Sequence, residues 1–366
     1  MGKYDKDRRQ KELAIRYCLA QGMVPCLEVV VPSISELSDN PEVITDIDAL
    51  GLEFVADGGL RRIAFDCKSS TKLSAIGRTF WAAGLMQYTG CDGAFVILGK
   101  PAVYNHRISA LSINVDLHDQ KSFEDLGRSK LLDFDMPHHY QSTIDNWEKV
   151  SDAYDKCVWS KTAFEIARNT TPISRTPEKT FRKLVVELKR NRGYFDPRKN
   201  EHMAIFFDLM ASMFILWTSM GRDFRRIYSP EMKQQQFEHA LRFYVWGGKE
   251  AFEIRQALRE RAVQLNSGAE IPADVQEFPA WEQLQHFVGL VVSAPQAVFG
   301  CVNLCRDLSI RCVVTKSADE EVNLANGVRG SNRATQFILA MGAYLVSACQ
   351  LPSDTKEKLK EILAEL

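Results

Sequence analysis

Apolar positions recur along the first third of this chain with two alternating periods. Leu13, Ala14, Tyr17 and Cys18 fall on one helical stripe within residues 6–21, closed by Gln21-Gly22. A β-branched run at 26–31 follows, stopped by Pro32, and a polar loop is expected over residues 33–41. Strands are predicted at 44–55 and 62–67, joined by the turn Asp57-Gly58-Gly59. Helical spacing resumes over 72–88. A strand at 93–98, a short helix at 104–111 and a fifth strand at 112–117 complete the unit. Hairpins first and helical crossovers later predict a mixed sheet covered by helices.

Beyond about residue 125 strand signals become few. Residues 146–168, 177–190, 201–220, 231–263, 280–307, 330–348 and 353–366 read as helices, and short strands near 242–246 and 310–315 stay open. The expectation is an α/β domain over 1–125, a linker over 126–145 and a mostly helical region over 146–366, with His138-His139 on the linker surface and Gly327 to Gly330 as a turn between helices. The apolar segment Met203 to Trp217 is short for a membrane span and contains Asp208, so it reads as a buried helix and no membrane partner is expected.

Composition narrows the function only a little. The chain has 366 residues, 45% of them hydrophobic, and a formal net charge of -1, so any affinity for nucleic acid must come from local patches. Nine scattered cysteines without a dense framework suit reduced thiols and a cytoplasmic setting. There is no Walker loop, dinucleotide-binding glycine pattern or Ser/His/Asp set.

The candidate chemistry lies in two strand ends, Thr45-Asp46-Ile47-Asp48 and Phe65-Asp66-Cys67-Lys68. Apolar strands seldom bury carboxylates and a lysine unless these pair or bind a metal. Positions two apart share a face, so Asp48, or Asp46 as its rival, can meet Asp66 and Lys68 at one sheet edge. Carboxylates so placed call for a hard dication, Mg²⁺ with Mn²⁺ as substitute, and the Cys67 carbonyl is a further candidate ligand. Lys68 would orient water and stabilise charge on a phosphate. Ser69 and Ser70 precede a helix and can cap it or donate to a phosphate. The basic strip that includes Lys183, Lys189, Arg190 and Arg192 can follow a phosphate backbone.

These residues resemble the PD-(D/E)xK nuclease superfamily, the fold of many restriction endonucleases and of archaeal Holliday-junction resolvases. The likeness spans about residues 5–125: Asp48, then Asp66-Cys67-Lys68, then the crossover into Gly93 to Leu98 and the elements from His106 to Leu117. Position 45 is Thr where the family motif has Pro, and Asp66 stands where Glu is commoner. The resemblance implies a restriction-endonuclease-like, five-stranded mixed sheet and a Mg²⁺-dependent endonuclease acting on DNA rather than RNA. It also implies a role in restriction, defence or repair, and a further catalytic Glu on the first helix, for which Glu12 fits. The apolar helices offer a self-association face, so a homodimer is a further expectation. Two other functions compete: a nuclease-fold binding or assembly module without cleavage, and a helical interaction protein capped by the first domain.

Overall fold

The computed structural model describes residues 4, 6–33, 42–132, 134, 139–265 and 278–366. The expected loop over 33–41 lies almost wholly outside them. Its first third is a five-stranded mixed sheet in the order β1-β2-β3-β4-β5. The strands are β1 Val24–Pro32, β2 Val43–Phe54, β3 Leu60–Lys68, β4 Gly93–Leu98 and β5 Val115–Asp119. The first three form an antiparallel meander, and β4 and β5 add in parallel. Helix α1 (Arg8–Ala20) precedes β1, α2 (Ala75–Thr89) crosses from β3 to β4, α3 (Tyr104–Leu111) crosses from β4 to β5, and α4 (Gln120–Ser129) follows.

Alternation along the strands splits the core into two faces. Ala49, Phe65, Cys67 and Ile97 pack with Leu13, Ala14 and Tyr17 of α1 and Phe123 of α4. Leu50, Ala64, Val96 and Leu117 belong to the larger core that includes Ala75, Ala82 and Leu85 of α2. Gly51 brings α1 close: a Cβ there would meet Cys18 Sγ at 2.9 Å. The fifth strand begins later than expected because Ser112 to Asn114 form the turn leaving α3, with Asn114 at a φ of 59°.

The remainder is helical: α5 Ile144–Lys156, α6 Lys161–Glu165, α7 Pro177–Arg190, α8 Asn200–Ile227, α9 Gln234–Trp246, α10 Lys249–Leu265, α11 Trp281–Ser293, α12 Pro295–Arg311, α13 Ala318–Arg329, α14 Asn332–Cys349 and α15 Asp354–Ala364. Three expected long helices are broken: the one expected over 146–168 leaves the α-helix at Cys157 and passes through a 3₁₀ turn at Val158–Ser160 into α6, and two more are each split in two. Gly247-Gly248, both at positive φ, separates α9 from α10, and Pro295 opens α12 at 109° to α11. Residues 242–246 belong to α9, so no strand forms there, and residues 310–315 finish α12 and turn. Helix continues through Gly327 to Arg329, and only Gly330 leaves it. His138 is outside the described residues, and His139 is half-buried rather than free on the surface, its Nδ1 2.9 Å from Asp307 Oδ2.

Helix α8 is long and apolar enough to cross a membrane, yet 94% of its most apolar stretch is buried within the protein. Helix α12 packs along α8 and covers one end of the outer edge of β1, where Asn303 Nδ2 donates to Met23 O and Arg306 Nη1 to Pro25 O. That end of an otherwise open strand edge is thereby covered, and further along Asn169 Oδ1 accepts from Val30 N at 3.3 Å.

Candidate metal centre

Pairing between β2 and β3 ends at Ala49–Phe65. Past that point Asp48 supplies from its side chain what the ladder no longer does: its Oδ2 accepts from Cys67 N at 2.8 Å and from Lys68 Nζ at 2.5 Å. Lys68 also lies 3.3 Å from Asp66 Oδ1, so one ammonium bridges the two acids. Burial disfavours the charge of Lys68, but Asp48 and Asp66 outweigh it and raise its pKa. The amine stays protonated, which suits orientation and electrostatics and not proton abstraction. Burial likewise pushes Asp48 up, against the pull of Lys68 and the Cys67 amide.

Strand alternation places Asp46 on the same face as Asp48, and β1 adds a third acid. Leu27 pairs with Ala49 and Val29 with Ile47, so Glu28 lies across from Asp48. Its φ of 51° is a left-handed conformation that costs a non-glycine residue about 1 kcal/mol or more. One oxygen from each of Glu28, Asp46 and Asp48 lies within 4.8 Å of the others. Burial pushes Glu28 up to about 7, helped by a hydrogen bond with Asp46 and opposed by Lys11. Asp46 goes the other way: burial raises it, but Glu28's hydrogen bond and the Lys68 and Lys11 charges hold it below the usual range. Of the two, Glu28 is the carboxyl that holds its proton more readily. Three hard oxygen donors with a proton to give up form a set that fits a divalent cation.

Asp66 shares the α2-facing side of the sheet with Asp48 but stands outside the three-acid group. Arg78 of α2 grips both of its oxygens, Nε donating to Oδ2 at 2.7 Å and Nη2 to Oδ1. A small cavity between sheet and α2 is bordered by Asp46, Asp48, Asp66, Trp81 and Leu85. Lys11, buried on α1, donates to Glu28. Asp7, at the start of that helix, accepts from both Ser69 N and Ser69 Oγ at 2.6 Å and so ties down the segment after Lys68. Gly99 admits that segment, since a Cβ there would stand 2.2 Å from Ser69 O.

The remaining expected residues sit as follows. Glu12 turns away from the acids and accepts from Ile144 N at 3.1 Å, serving the first turn of α5. Cys67 is fixed through its amide, and its thiol is buried on the opposite face with Phe65. Ser70 is exposed and accepts weakly from Lys72 N; Ser74, further on, is the cap of α2. Lys183 and Arg190 are exposed on α7, which packs on α8, α9 and α14; Arg190 pairs with Glu187 at 3.1 Å. Lys189 accepts through its carbonyl from Arg192 at 3.0 Å.

Sequence reasoning passed over Glu28, Lys11, Asp7 and Arg78. Two of them carried a signal. Glu28 is a lone acid inside the run Cys26 to Val31, and Lys11 precedes Ala14 and Cys18 by three and seven positions, on the apolar stripe. The molecule thus has a five-stranded mixed sheet flanked by helices, a largely helical region after it, and an acidic group able to hold a cation. Comparison with known protein families, with curated proteins and with solved structures finds no match.

Proposed function

We propose that the chain is a Mg²⁺-dependent endonuclease of the PD-(D/E)xK type, with Mn²⁺ as a substitute and DNA, before RNA, as substrate. The observation that carries this reading is the meeting of Asp48, the Cys67 amide and Lys68 where β2 and β3 part, with Asp46 and Glu28 beside them. Asp48, Asp46 and Glu28 would hold the dication, with the Cys67 carbonyl as a further candidate and Asp66 joining if Arg78 releases it. The bound ion would supply charge for the phosphate oxygens and lower the pKa of a water. Lys68, charged and fixed by two acids, orients that water and stabilises the negative charge gathered in the transition state. In the net reaction the water oxygen bonds to phosphorus, the bond to the 3′ oxygen breaks, and that oxygen gains a proton, leaving a 5′-phosphate. Nine free thiols are in keeping with a reducing, cytoplasmic setting.

The test is cleavage of supercoiled and branched DNA in Mg²⁺ by the full chain and by Lys68→Ala. Loss of one such charge-stabilising group should slow the reaction by about 10²–10³-fold with the fold intact by circular dichroism. A variant as fast as the wild type would remove the assignment. One observation favours a second reading, a nuclease-fold binding module without cleavage: Arg78 already occupies both oxygens of Asp66. A chain that holds DNA but neither binds Mn²⁺ nor cuts would establish that alternative.

A further inference from the structure

Arg78 stands apart from the other charged groups of this site because of what surrounds it. It follows the α2 cap Ser74 by four positions and precedes Trp81 by three, so helical spacing turns it toward the sheet. Its guanidinium makes the paired contact with Asp66 and lies 4.0 Å over the Trp81 ring. The carboxylate it grips is sealed, but the arginine side chain keeps 19% of its surface in solvent. A flat, five-donor fork is therefore held beside the acid group through Asp66, in the first turn of α2. The same fork geometry fits a carboxylate and a phosphate equally well.

Charge counting says what happens when a cation arrives. Glu28, Asp46, Asp48 and Asp66 are met by Lys11, Lys68 and Arg78, three positive groups for four acids. A dication competes with these resident cations for the acids, and the one held by the fewest of them is the one it displaces. Lys11 is buried against Glu28, and Lys68 is shared between two acids. Arg78 alone of the three combines one acid partner with an open side toward solvent.

We propose that Arg78 is a phosphate-binding residue whose resting partner is Asp66, and that it passes from the carboxylate to a phosphodiester of the substrate once a dication occupies the acid group. The inference rests on the function proposed above. It makes Asp66 a ligand only of the loaded site, and it makes metal and substrate binding cooperative through one side chain.

The experiment uses the full chain and two readouts that do not depend on turnover. Mn²⁺ is titrated calorimetrically without DNA, and a DNA duplex is titrated by fluorescence anisotropy in Ca²⁺ between 50 and 200 mM salt, a range over which phosphate contacts weaken measurably (about 0.9 in the log–log slope per contact). Arg78→Gln should bind Mn²⁺ more tightly, on the order of tenfold, because a charge-assisted competitor for Asp66 is gone. The same variant should bind duplex more weakly and lose about 0.9 from the salt slope. Arg78→Lys keeps the charge without the fork: tighter Mn²⁺ binding and an unchanged slope are expected, and this variant decides if Arg78→Gln does not fold. Weaker Mn²⁺ binding in either variant, or a wild-type salt slope in Arg78→Gln, would overturn the proposal. A wild-type chain that takes up no Mn²⁺ would instead sink the nuclease reading, before any variant is made.

Discussion

Two of the charge clusters among the described residues are built in opposite senses. In the helical region Asp208 of α8 is a single acid met by an excess of donors. Its Oδ2 accepts from Tyr154 at 3.0 Å and from Arg168 at 3.1 Å, and Arg306 stands 4.0 Å from Oδ1. Both arginines also lie over the Trp147 ring, at 4.9 and 5.2 Å. Arg306 continues to Pro25 O of β1, so this group fastens the sheet to the helices. At the acid face of the sheet the balance is reversed: three carboxyls crowd within 4.8 Å, one of them near neutral pKa, with a strained backbone beneath it. A charge cluster closed by protein partners is a fastening. One that gathers more acids than its resident lysines neutralise, with one carboxyl near neutral pKa, is suited to a cation.

That contrast is broken most forcefully at Asp208. Asp208→Ala strands two buried guanidinium groups and should cost about 3–5 kcal/mol in chemical denaturation. Mn²⁺ should restore none of it. A loss under 1 kcal/mol would mean that the helical group is as dispensable as a surface pair.

A smaller effect separates the two clusters by pH. Glu28 is raised from 4.5 to about 7, so in the metal-free protein its neutral form is favoured. The stability this contributes is whole below the unfolded value and is lost as pH climbs through about 7. A cation needs the ionised form. Mn²⁺ affinity should therefore rise between pH 6 and 7, by up to about tenfold per unit, and level off above. Glu28→Gln should flatten that rise in calorimetric titrations at several pH values; an unchanged slope would place the titrating group elsewhere.

The same comparison explains what could be read from residue order alone. Asp48, Asp66 and Lys68 were legible because charge at the end of an apolar strand is conspicuous, and the five strands were legible because their alternation and turns agree. Glu28 was not, since its meaning depends on pairing across from Asp48 and on a left-handed φ that no local pattern announces. Arg78 looked like any helix arginine until α2 was laid on the sheet. On α1 the acid at position 12 drew attention, but a rotation of one residue decides the matter: Lys11 faces the carboxyls and Glu12 faces α5. Helix breaks at Gly247-Gly248 and Pro295 were marked by residue type, yet apolar spacing runs smoothly through both and hid them. The Asp208 group lay beyond reach because its members come from α5, the π-helical segment Ile166–Thr170 after α6, α8 and α12, which only tertiary packing brings together.

The central claim is that the acid face of the sheet is a cation site and the Asp208 group is not. Calorimetric titration of the full chain with Mn²⁺ at pH 7.5 tests it directly, since that pH lies above the range in which Glu28 holds its proton. The account predicts saturable binding in the wild type that disappears in Asp48→Ala. Absence of binding in the wild type, or equal binding in Asp48→Ala, would contradict it.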